Sequence, residues 1–253
     1  MIRTLYFLYT WLIFAPIFLL ATIITALVTI TGCVFGGERI FSYYPGMIWS
    51  KLACGLALCP VKVKGRENIK KGMPAIYVAN HQGAFDIFLI YGFLGTPIKW
   101  MLKMGLSKIP FVGAACRAAG FIFVDHKTSK AAAHSVTEAG KALRKGSSIC
   151  IFPEGSRSLT GKMRRFKRGA FQMAVDLHVQ IVPITLNGPY CVLPIGSARL
   201  RRHRMELIIH QPILPTAAST EHADSSRKDV EELAARTYSV IESGLWPRFR
   251  ASI

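Results

Sequence analysis

Short apolar segments separated by polar turns run through the chain from residue 60 onward. Glycine, proline and asparagine bound these segments, and helical patterns lie between them, most clearly at 129–145, 167–177 and 228–243. Strands that alternate with helices predict an α/β fold. We therefore predict a mixed, mostly parallel sheet flanked by helices over residues 60–253, with a loop at 214–227. The predicted strands are 75–79, 98–102, 121–124, 148–152, 180–186 and 205–210.

The N-terminal region has a different pattern, with no charged side chain from Thr4 to Gly37. A helix rises about 1.5 Å per residue, so about 20 apolar residues suffice to cross the hydrocarbon core. This run is longer than that, and longer than the apolar core of about 7–15 residues in a cleavable signal peptide. Pro16 marks a kink or a break. Residues 1–59 are therefore predicted to form a membrane anchor followed by an interfacial helix at 39–59. The anchor is either a crossing helix or a helical hairpin in one leaflet.

The charge balance narrows the choice of partners. The 32 Lys and Arg against 14 Asp and Glu give a formal charge of +18, densest at 162–168 and 199–204. Such a surface suits nucleic acid, anionic lipid or a phosphorylated substrate, unless it is only a solvated basic face. The anchor favours anionic membrane lipid, so we expect no nucleic-acid partner. The basic domain follows the anchor, and the positive-inside rule then predicts the inner (cytoplasmic) membrane with the domain facing the cytoplasm.

The six cysteines are scattered, without a CxxC pair or a Cys/His cluster at zinc spacing. This pattern is typical of buried small hydrophobic residues in a reducing compartment. We expect no metal and no cofactor.

Candidate chemistry begins directly after the first predicted strand, in the segment NHQGAFD. Polar residues at the end of a strand lie where α/β sheets bind ligands. His81 and Asp86 are five residues apart across a loop-to-helix turn and can touch if the loop folds back. The carboxylate would then fix the imidazole tautomer and stabilise the imidazolium formed during proton abstraction. Alone, such a pair is more often structural.

A second polar block, FPEGSRS at 152–158, follows another apolar strand. Glu154 can accept hydrogen bonds from hydroxyl groups, Gly155 lets a ligand approach the backbone, and Arg157 can hold a phosphate with two hydrogen bonds. By itself the block is equally compatible with a loop and a helix cap. Its combination with the first block makes coincidence improbable.

Together with KMGLSKIPFVG (103–113), GFIFVDHK (120–127) and VPITLNG (182–188), these ordered blocks resemble the glycerophospholipid acyltransferase family, specifically its bacterial 1-acyl-sn-glycerol-3-phosphate acyltransferases. The resemblance covers residues 61–213. It implies acyl transfer from acyl-CoA or acyl-carrier protein to the sn-2 hydroxyl of lysophosphatidic acid, giving phosphatidic acid. Glycerol 3-phosphate, another lysophospholipid or a lyso-aminolipid remain alternative acceptors.

By the same resemblance His81 is the general base and Asp86 its orienting partner. The implied substrate-binding residues are Lys103, Lys127, Glu154, Gly155, Ser156, Arg157 and Pro183. Two of the blocks depart from the family pattern: His126 and Lys127 stand where the second block commonly ends in Arg, and Gly105 stands where KxEL has Glu. We further expect a backbone N–H near the NHQG turn to stabilise the oxyanion.

Two rival functions are weaker. A serine hydrolase would need a strand–turn–helix elbow of the type GxSxG, which the sequence lacks. A non-catalytic binder of membranes or nucleic acid would explain the charge but would not require the ordered polar blocks.

Overall fold

The computed structural model of the protein describes residues 2–125, 129–215 and 223–250. The N-terminal region is helical throughout. Its helices are α1 (Ile2–Tyr9), a π-helical turn (Thr10–Phe14), α2 (Ala15–Val34), α3 (Glu38–Phe41) and α4 (Tyr44–Leu56). Pro16 has no N–H to donate to the preceding turn, and the irregular π-helical turn lies just before it. The helix continues through this point, so the expected break is only a local irregularity.

The long α1–α2 helix and α4 pack as an antiparallel hairpin. Near the start of the hairpin the hydroxyls of Tyr6 and Tyr9 donate to the carbonyls of Ala57 and Leu56, each at 2.8 Å. Further along, the Trp49 indole N–H donates to the Thr22 hydroxyl at 2.9 Å, and the Trp49 ring stacks on Phe18. A hairpin folded at Pro16 is therefore not present: Arg3–Val34 is one long apolar helix, and its hairpin partner is α4. Whether the long helix crosses the bilayer or inserts into one leaflet stays a prediction.

One face of this hairpin exposes large apolar side chains to the surroundings. Residues Arg3–Val34 form the one helix, within the part of the chain that the structure describes, that is long and apolar enough to cross a membrane. Leu12 is 71% exposed and Leu19 62% exposed, and Ile48 on α4 is similarly exposed. A contiguous apolar surface of this kind is typical of a membrane or protein contact.

Residues 61–209 contain a seven-stranded sheet. Its strands are β1 (Val61–Lys64), β2 (Ala75–Ala79), β3 (Lys99–Lys103), β4 (Ile122–Val124), β5 (Ile149–Ile151), β6 (Gln180–Asn187) and β7 (Met205–Ile209). The order across the sheet is β1-β7-β6-β2-β5-β3-β4. Every pairing is parallel except β6 with β7, so β1 and β7 run against the other five strands. The predicted mixed, mostly parallel sheet is confirmed.

Helices cover both faces of the sheet. The domain's own helices are α5 (Phe85–Phe93), α6 (Val112–Ala118), α7 (Ser129–Arg144), α8 (Gly169–Leu177), α9 (Pro189–Val192) and α10 (Ala223–Ser243). Short 3-10 helices occupy Arg66–Asn68, Met104–Lys108 and Pro247–Phe249. Alternate residues of β2 enter different cores: Tyr77 packs with α4 and α5, whereas Ile76 and Val78 pack with α7, α8 and α10. All five β2 residues are therefore buried.

The structure corrects three details of the predicted elements. The sequence interpretation missed β1, whose segment VKVK carries exposed lysines at the sheet edge. The last helix begins at Ala223, inside the segment predicted to be a loop. The interfacial helix predicted at 39–59 is two helices, α3 and α4.

Candidate active site

The loop between β2 and α5 is fixed to the neighbouring strand by Asn80. The side-chain amide of Asn80 donates to the Leu186 carbonyl at 3.0 Å, and its carbonyl oxygen accepts from the Leu186 N–H at 2.7 Å. This pair of bonds extends the contact between β2 and β6 by one residue beyond the strand. The backbone directly before His81 is therefore held rigidly against the sheet.

His81 and Asp86 are in contact, as predicted from their spacing. His81 Nδ1 lies 2.6 Å from Asp86 Oδ2. The same oxygen accepts the backbone N–H groups of Gln82 and Gly83 at 2.6 and 2.9 Å, and Asp86 is fully buried in the first turn of α5. Three donors and the positive end of the helix dipole stabilise the carboxylate. The Nδ1 position is thereby occupied, which leaves Nε2 as the nitrogen available to another group.

The tight packing of this loop depends on Gly83. A Cβ atom at this position would lie 2.8 Å from the Pro189 carbonyl oxygen and 2.9 Å from the Leu193 carbonyl oxygen. Both are backbone atoms, so the crowding cannot be relieved by rotating a side chain. Glycine is required here by the close approach of the segment that follows β6.

The imidazole of His81 lies flat on Phe152, which begins the FPEGSRS block. The ring centroids are 4.0 Å apart and the planes differ by 10°. Trp100 stacks in turn on Phe152, and the centroids of these two rings are 5.8 Å apart. The His81 side chain remains 17% exposed, so one edge of a firmly oriented ring faces the opening. The sequence analysis assigned no role to Phe152, although it is the first residue of the FPEGSRS block.

Glu154 is buried and holds two backbone segments together. Its Oε1 accepts the N–H of His81 at 2.8 Å, and its Oε2 accepts the N–H of Arg164 at 3.0 Å. Burial raises the pKa of the Glu154 carboxyl to about 7, although the hydrogen bonds from the His81 and Arg164 backbone act in the opposite direction. Ser158 adds a second link, because its N–H donates to the His81 carbonyl at 2.8 Å. The two polar blocks are therefore one hydrogen-bonded unit.

The backbone N–H groups of the NHQG turn are already occupied. His81 N–H donates to Glu154, and the N–H groups of Gln82 and Gly83 donate to Asp86. The N–H of Ala84 points to the Leu193 carbonyl at 3.4 Å. None of these four N–H groups is thus left for an oxyanion, and the expectation of a donor near this turn stays a prediction.

The remaining FPEGSRS residues lie at the surface beside His81. Gly155 has a φ of +75°, a conformation that favours glycine, and both Gly155 and Ser156 are exposed. The Ser156 hydroxyl accepts a hydrogen bond from the Arg164 guanidinium. Arg157 is partly exposed. Of these groups the Arg157 guanidinium is left for a ligand, because the Gly155 N–H donates to the Phe152 carbonyl and the Ser156 hydroxyl already pairs with Arg164.

Lys103 ends β3 at the same edge of the sheet, two strands from β2. Neighbouring strands are about 4.8 Å apart, so the β3 end lies about 10 Å from the β2 end. Among the residues that the structure describes, neither Lys103 nor Arg157 forms an ion pair with a carboxylate. Both cations are thus available to a phosphate group. No group of three or more His, Cys, Asp or Glu side chains within the described ranges could hold a metal ion.

Comparisons with known proteins agree with this geometry. The family model described as Acyltransferase matches residues 60–187, which include both polar blocks. The chain belongs to the acyltransferase family.

Relatives within this family carry consistent names. The chain is 31% identical over 198 residues to the chloroplastic 1-acyl-sn-glycerol-3-phosphate acyltransferase LPAT1 of Arabidopsis thaliana, covering 78% of this chain and 55% of that protein. It is 39% identical over 137 residues to the 1-acyl-sn-glycerol-3-phosphate acyltransferase of Borreliella burgdorferi, covering 54% of each. The chain thus spans little more than half the length of these curated relatives.

The fold comparison extends over nearly the whole chain. The crystal structure of the 1-acyl-sn-glycerophosphate acyltransferase PlsC from Thermotoga maritima matches with a TM-score of 0.74 and 28% identity. The match covers 96% of this chain and 97% of that chain, so it includes the N-terminal hairpin as well as the acyltransferase sheet.

Two other predicted substrate-binding residues of this acyltransferase lie away from the opening or outside the described ranges. Pro183 is buried within β6, where its register partner is Val78, and the structure does not bring it to the opening. Lys127, with His126, lies outside the described residues. The roles assigned to both, and to the phosphate-binding residues above, stay predictions.

Proposed function

We propose that the protein transfers a fatty acyl group from an acyl thioester to the free sn-2 hydroxyl of 1-acyl-sn-glycerol 3-phosphate, giving phosphatidic acid for phospholipid biosynthesis. The observation that carries this proposal is the His81–Asp86 contact. Its buried carboxylate engages Nδ1 and leaves Nε2 as a base at the exposed edge of the ring. The names of the relatives support the choice of acceptor.

The reaction needs no covalent enzyme intermediate. The acceptor hydroxyl lies against His81 Nε2 while Arg157 and Lys103 hold its phosphate. His81 takes the hydroxyl proton as the oxygen attacks the thioester carbonyl, and Asp86 stabilises the imidazolium. Collapse of the tetrahedral intermediate breaks the carbon–sulfur bond. The departing thiolate then takes the proton from His81, which returns the base to its starting state.

The N-terminal hairpin would hold this site at a lipid surface, where the lysolipid and the acyl chains reside. We favour insertion into one leaflet over a full crossing. Two helices of the domain pack along α2: Phe18 contacts Phe88 of α5, and α2 also contacts α6. A crossing helix would draw the domain that carries these helices, with its polar groups, into the hydrocarbon core, which is costly. The inner membrane and a cytoplasm-facing domain remain part of the proposal.

The decisive experiment incubates the purified chain with acyl-CoA, or with acylated carrier protein, and a panel of acceptors. The panel holds lysophosphatidic acid, glycerol 3-phosphate, another lysophospholipid and a lyso-aminolipid. We expect acylation of lysophosphatidic acid, and a His81→Ala variant that binds the acceptor but turns over about 10²–10⁴-fold more slowly. Acylation of a phosphate-free acceptor alone would overturn the acceptor assignment. Near-normal turnover by His81→Ala would overturn the mechanism.

A further inference from the structure

A second basic surface lies on the other side of His81 from Lys103. It is a concavity of about 480 Å³ whose lining includes Thr160, Tyr190, Arg201, Arg202, His203 and Arg248. Its basic residues come from the segment that precedes β7 and from the C-terminal 3-10 helix. The acyltransferase mechanism described above uses none of them.

The charge of this concavity is uncompensated. Three arginines line it, and no acidic side chain does. Across the described ranges, none of the ion pairs involves Arg201, Arg202 or Arg248. Guanidinium groups gathered without carboxylate partners repel one another and favour a ligand with several negative charges.

The arginines stand on a rigid support. The Arg248 guanidinium lies over the Phe249 ring at 4.6 Å and near the Trp246 ring at 5.4 Å from the centroids. The backbone of Arg201 donates to the Val192 carbonyl at 2.9 Å, and the neighbouring Leu200 is buried. Little conformational freedom of the backbone would be lost when an anion binds here.

The concavity shares a wall with the catalytic loop. The Gln82 side-chain amide, next to the base, donates to the Gly161 carbonyl at 3.2 Å. On the same segment the Leu159 carbonyl accepts from the Tyr190 hydroxyl at 3.1 Å, and Thr160 lines the concavity. A ligand held by the arginines therefore lies beside the loop that carries His81.

Strand order places Lys103 and the arginines of the concavity on opposite sides of the base. Lys103 ends β3 on one side of β2, whereas Arg201 and Arg202 precede β7 on the other side. At about 4.8 Å per strand, β3 and β7 each lie about 10 Å from β2. Acyl transfer brings two substrates to His81, and the acceptor's phosphate needs only one of these regions.

We propose that the concavity binds the 3′-phosphoadenosine diphosphate end of coenzyme A, the carrier of the acyl donor. This inference rests on the proposed function. Three phosphates match three arginines, and the flat faces of Tyr190 and Arg248 can stack on the adenine. The flexible pantetheine arm then runs along the 159–161 wall and brings the thioester to His81. A common phospholipid headgroup offers one phosphate and no aromatic ring, and so fits this concavity less well.

Binding measurements test the proposal without turnover. The full chain, held in phosphatidylcholine nanodiscs, is titrated calorimetrically with CoA and with 3′-dephospho-CoA. We expect Arg201→Ala/Arg202→Ala to weaken CoA binding about 10- to 100-fold, because charge-assisted hydrogen bonds are lost. The control Lys70→Ala/Lys71→Ala removes two exposed charges at the opposite end of β2 and should bind CoA normally. The wild type should bind 3′-dephospho-CoA more weakly than CoA.

Kinetics give a second, independent measurement. In Arg201→Ala/Arg202→Ala, and separately in Arg248→Gln, the KM for acyl-CoA should rise while kcat and the KM for the lysolipid stay close to those of the wild type. An S-acyl pantetheine, which lacks the nucleotide, should be used equally well by wild type and variants.

Three results would overturn the proposal. One is unchanged CoA affinity in both arginine variants. The second is a loss confined to binding of vesicles that contain anionic lipid, which would make the surface a membrane contact. The third is a loss confined to acylated carrier protein, which would assign it to an acidic protein. If the wild type binds CoA through the arginines but transfers no acyl group to any acceptor, the proposed function fails while the nucleotide site stands.

Discussion

The backbone of His81, and not its imidazole, connects the base to Glu154. The His81 N–H donates to Glu154 Oε1 at 2.8 Å, while the imidazole of the same residue contacts Asp86. Two buried carboxylates thus fix one histidine, one through the main chain and one through the ring. Glu154 acts on the reaction by positioning, and its second oxygen holds the Arg164 backbone in the same way.

Glu154 predicts a dependence of stability on pH. Its pKa is about 7 in the folded protein, against about 4.3 in an unfolded chain. The folded state therefore holds this proton more tightly, so the stabilisation is fully present below about pH 4 and is lost as the pH rises through 7. The total change is about 4 kcal/mol.

Glu154→Gln removes this titration. The amide leaves one backbone N–H without an acceptor, which costs about 1–3 kcal/mol at any pH. In denaturant unfolding, wild type should exceed the variant in stability most at pH 5, and the gap should narrow towards pH 8. A gap that is constant over this range would show that Glu154 does not titrate there.

Asp86→Asn tests the support of the base. The amide oxygen can still accept the backbone N–H groups of Gln82 and Gly83, but a neutral group no longer stabilises the imidazolium. We expect kcat to fall about 10²–10⁴-fold with little change in the KM of the acceptor. Circular dichroism should confirm the fold. A variant with wild-type kcat would contradict the assigned role of Asp86.

Phe152 should matter through the orientation of the His81 ring. Phe152→Leu keeps an apolar side chain but removes the aromatic face, whereas Phe152→Tyr keeps the ring. Stacked pairs contribute about 0.5–1.5 kcal/mol, so Phe152→Leu should lower kcat by about 2- to 10-fold. Phe152→Tyr should stay near the wild-type kcat. Equal rates for both variants would mean that the stack does not orient the base.

The apolar face of the hairpin predicts that the protein binds membranes, and that a single charged substitution on this face weakens the binding. Leu12→Glu and Leu19→Glu alter two strongly exposed positions of the long helix, where an acidic side chain in the hydrocarbon region costs about 2.5–3.5 kcal/mol. Both variants should sediment less with lipid vesicles. The control Leu214→Glu changes a leucine that is 65% exposed outside the hairpin and should bind like the wild type. Equal sedimentation of all variants would exclude this face as the lipid contact.

The sequence predicted the elements whose pattern is local. The predicted strand 75–79 matches β2 fully, and the bounds of the other five predicted strands differ from the observed bounds by no more than one residue at either end. These strands were predictable because apolar runs bounded by turn residues are typical of buried strands. The edge strand β1 was not predicted, because its two lysines are exposed to solvent and only its pairing with β7 makes it a strand. The start of α10 escaped because polar residues begin it.

Within the site, the spacing of His81 and Asp86 allowed their contact if the loop folded back, and the family resemblance made it an expectation. The hydrogen bonds that the backbone N–H groups of this site make could not be predicted in this way. Which N–H groups face Asp86 and Glu154 depends on how two loops, more than seventy residues apart in the chain, fold against each other. For the same reason the sequence could not show which N–H groups remain for an oxyanion, and the stack of Phe152 on His81 is likewise a tertiary contact.

The crowding around Gly83 has a consequence for transplanting this chemistry. A histidine and an aspartate at the right spacing can be written into many strand-to-helix loops. Here the loop passes so close to the carbonyls of Pro189 and Leu193 that no side chain fits between them. A host scaffold would therefore need its neighbouring crossover placed to the same tolerance, or the two residues would be present without ever meeting.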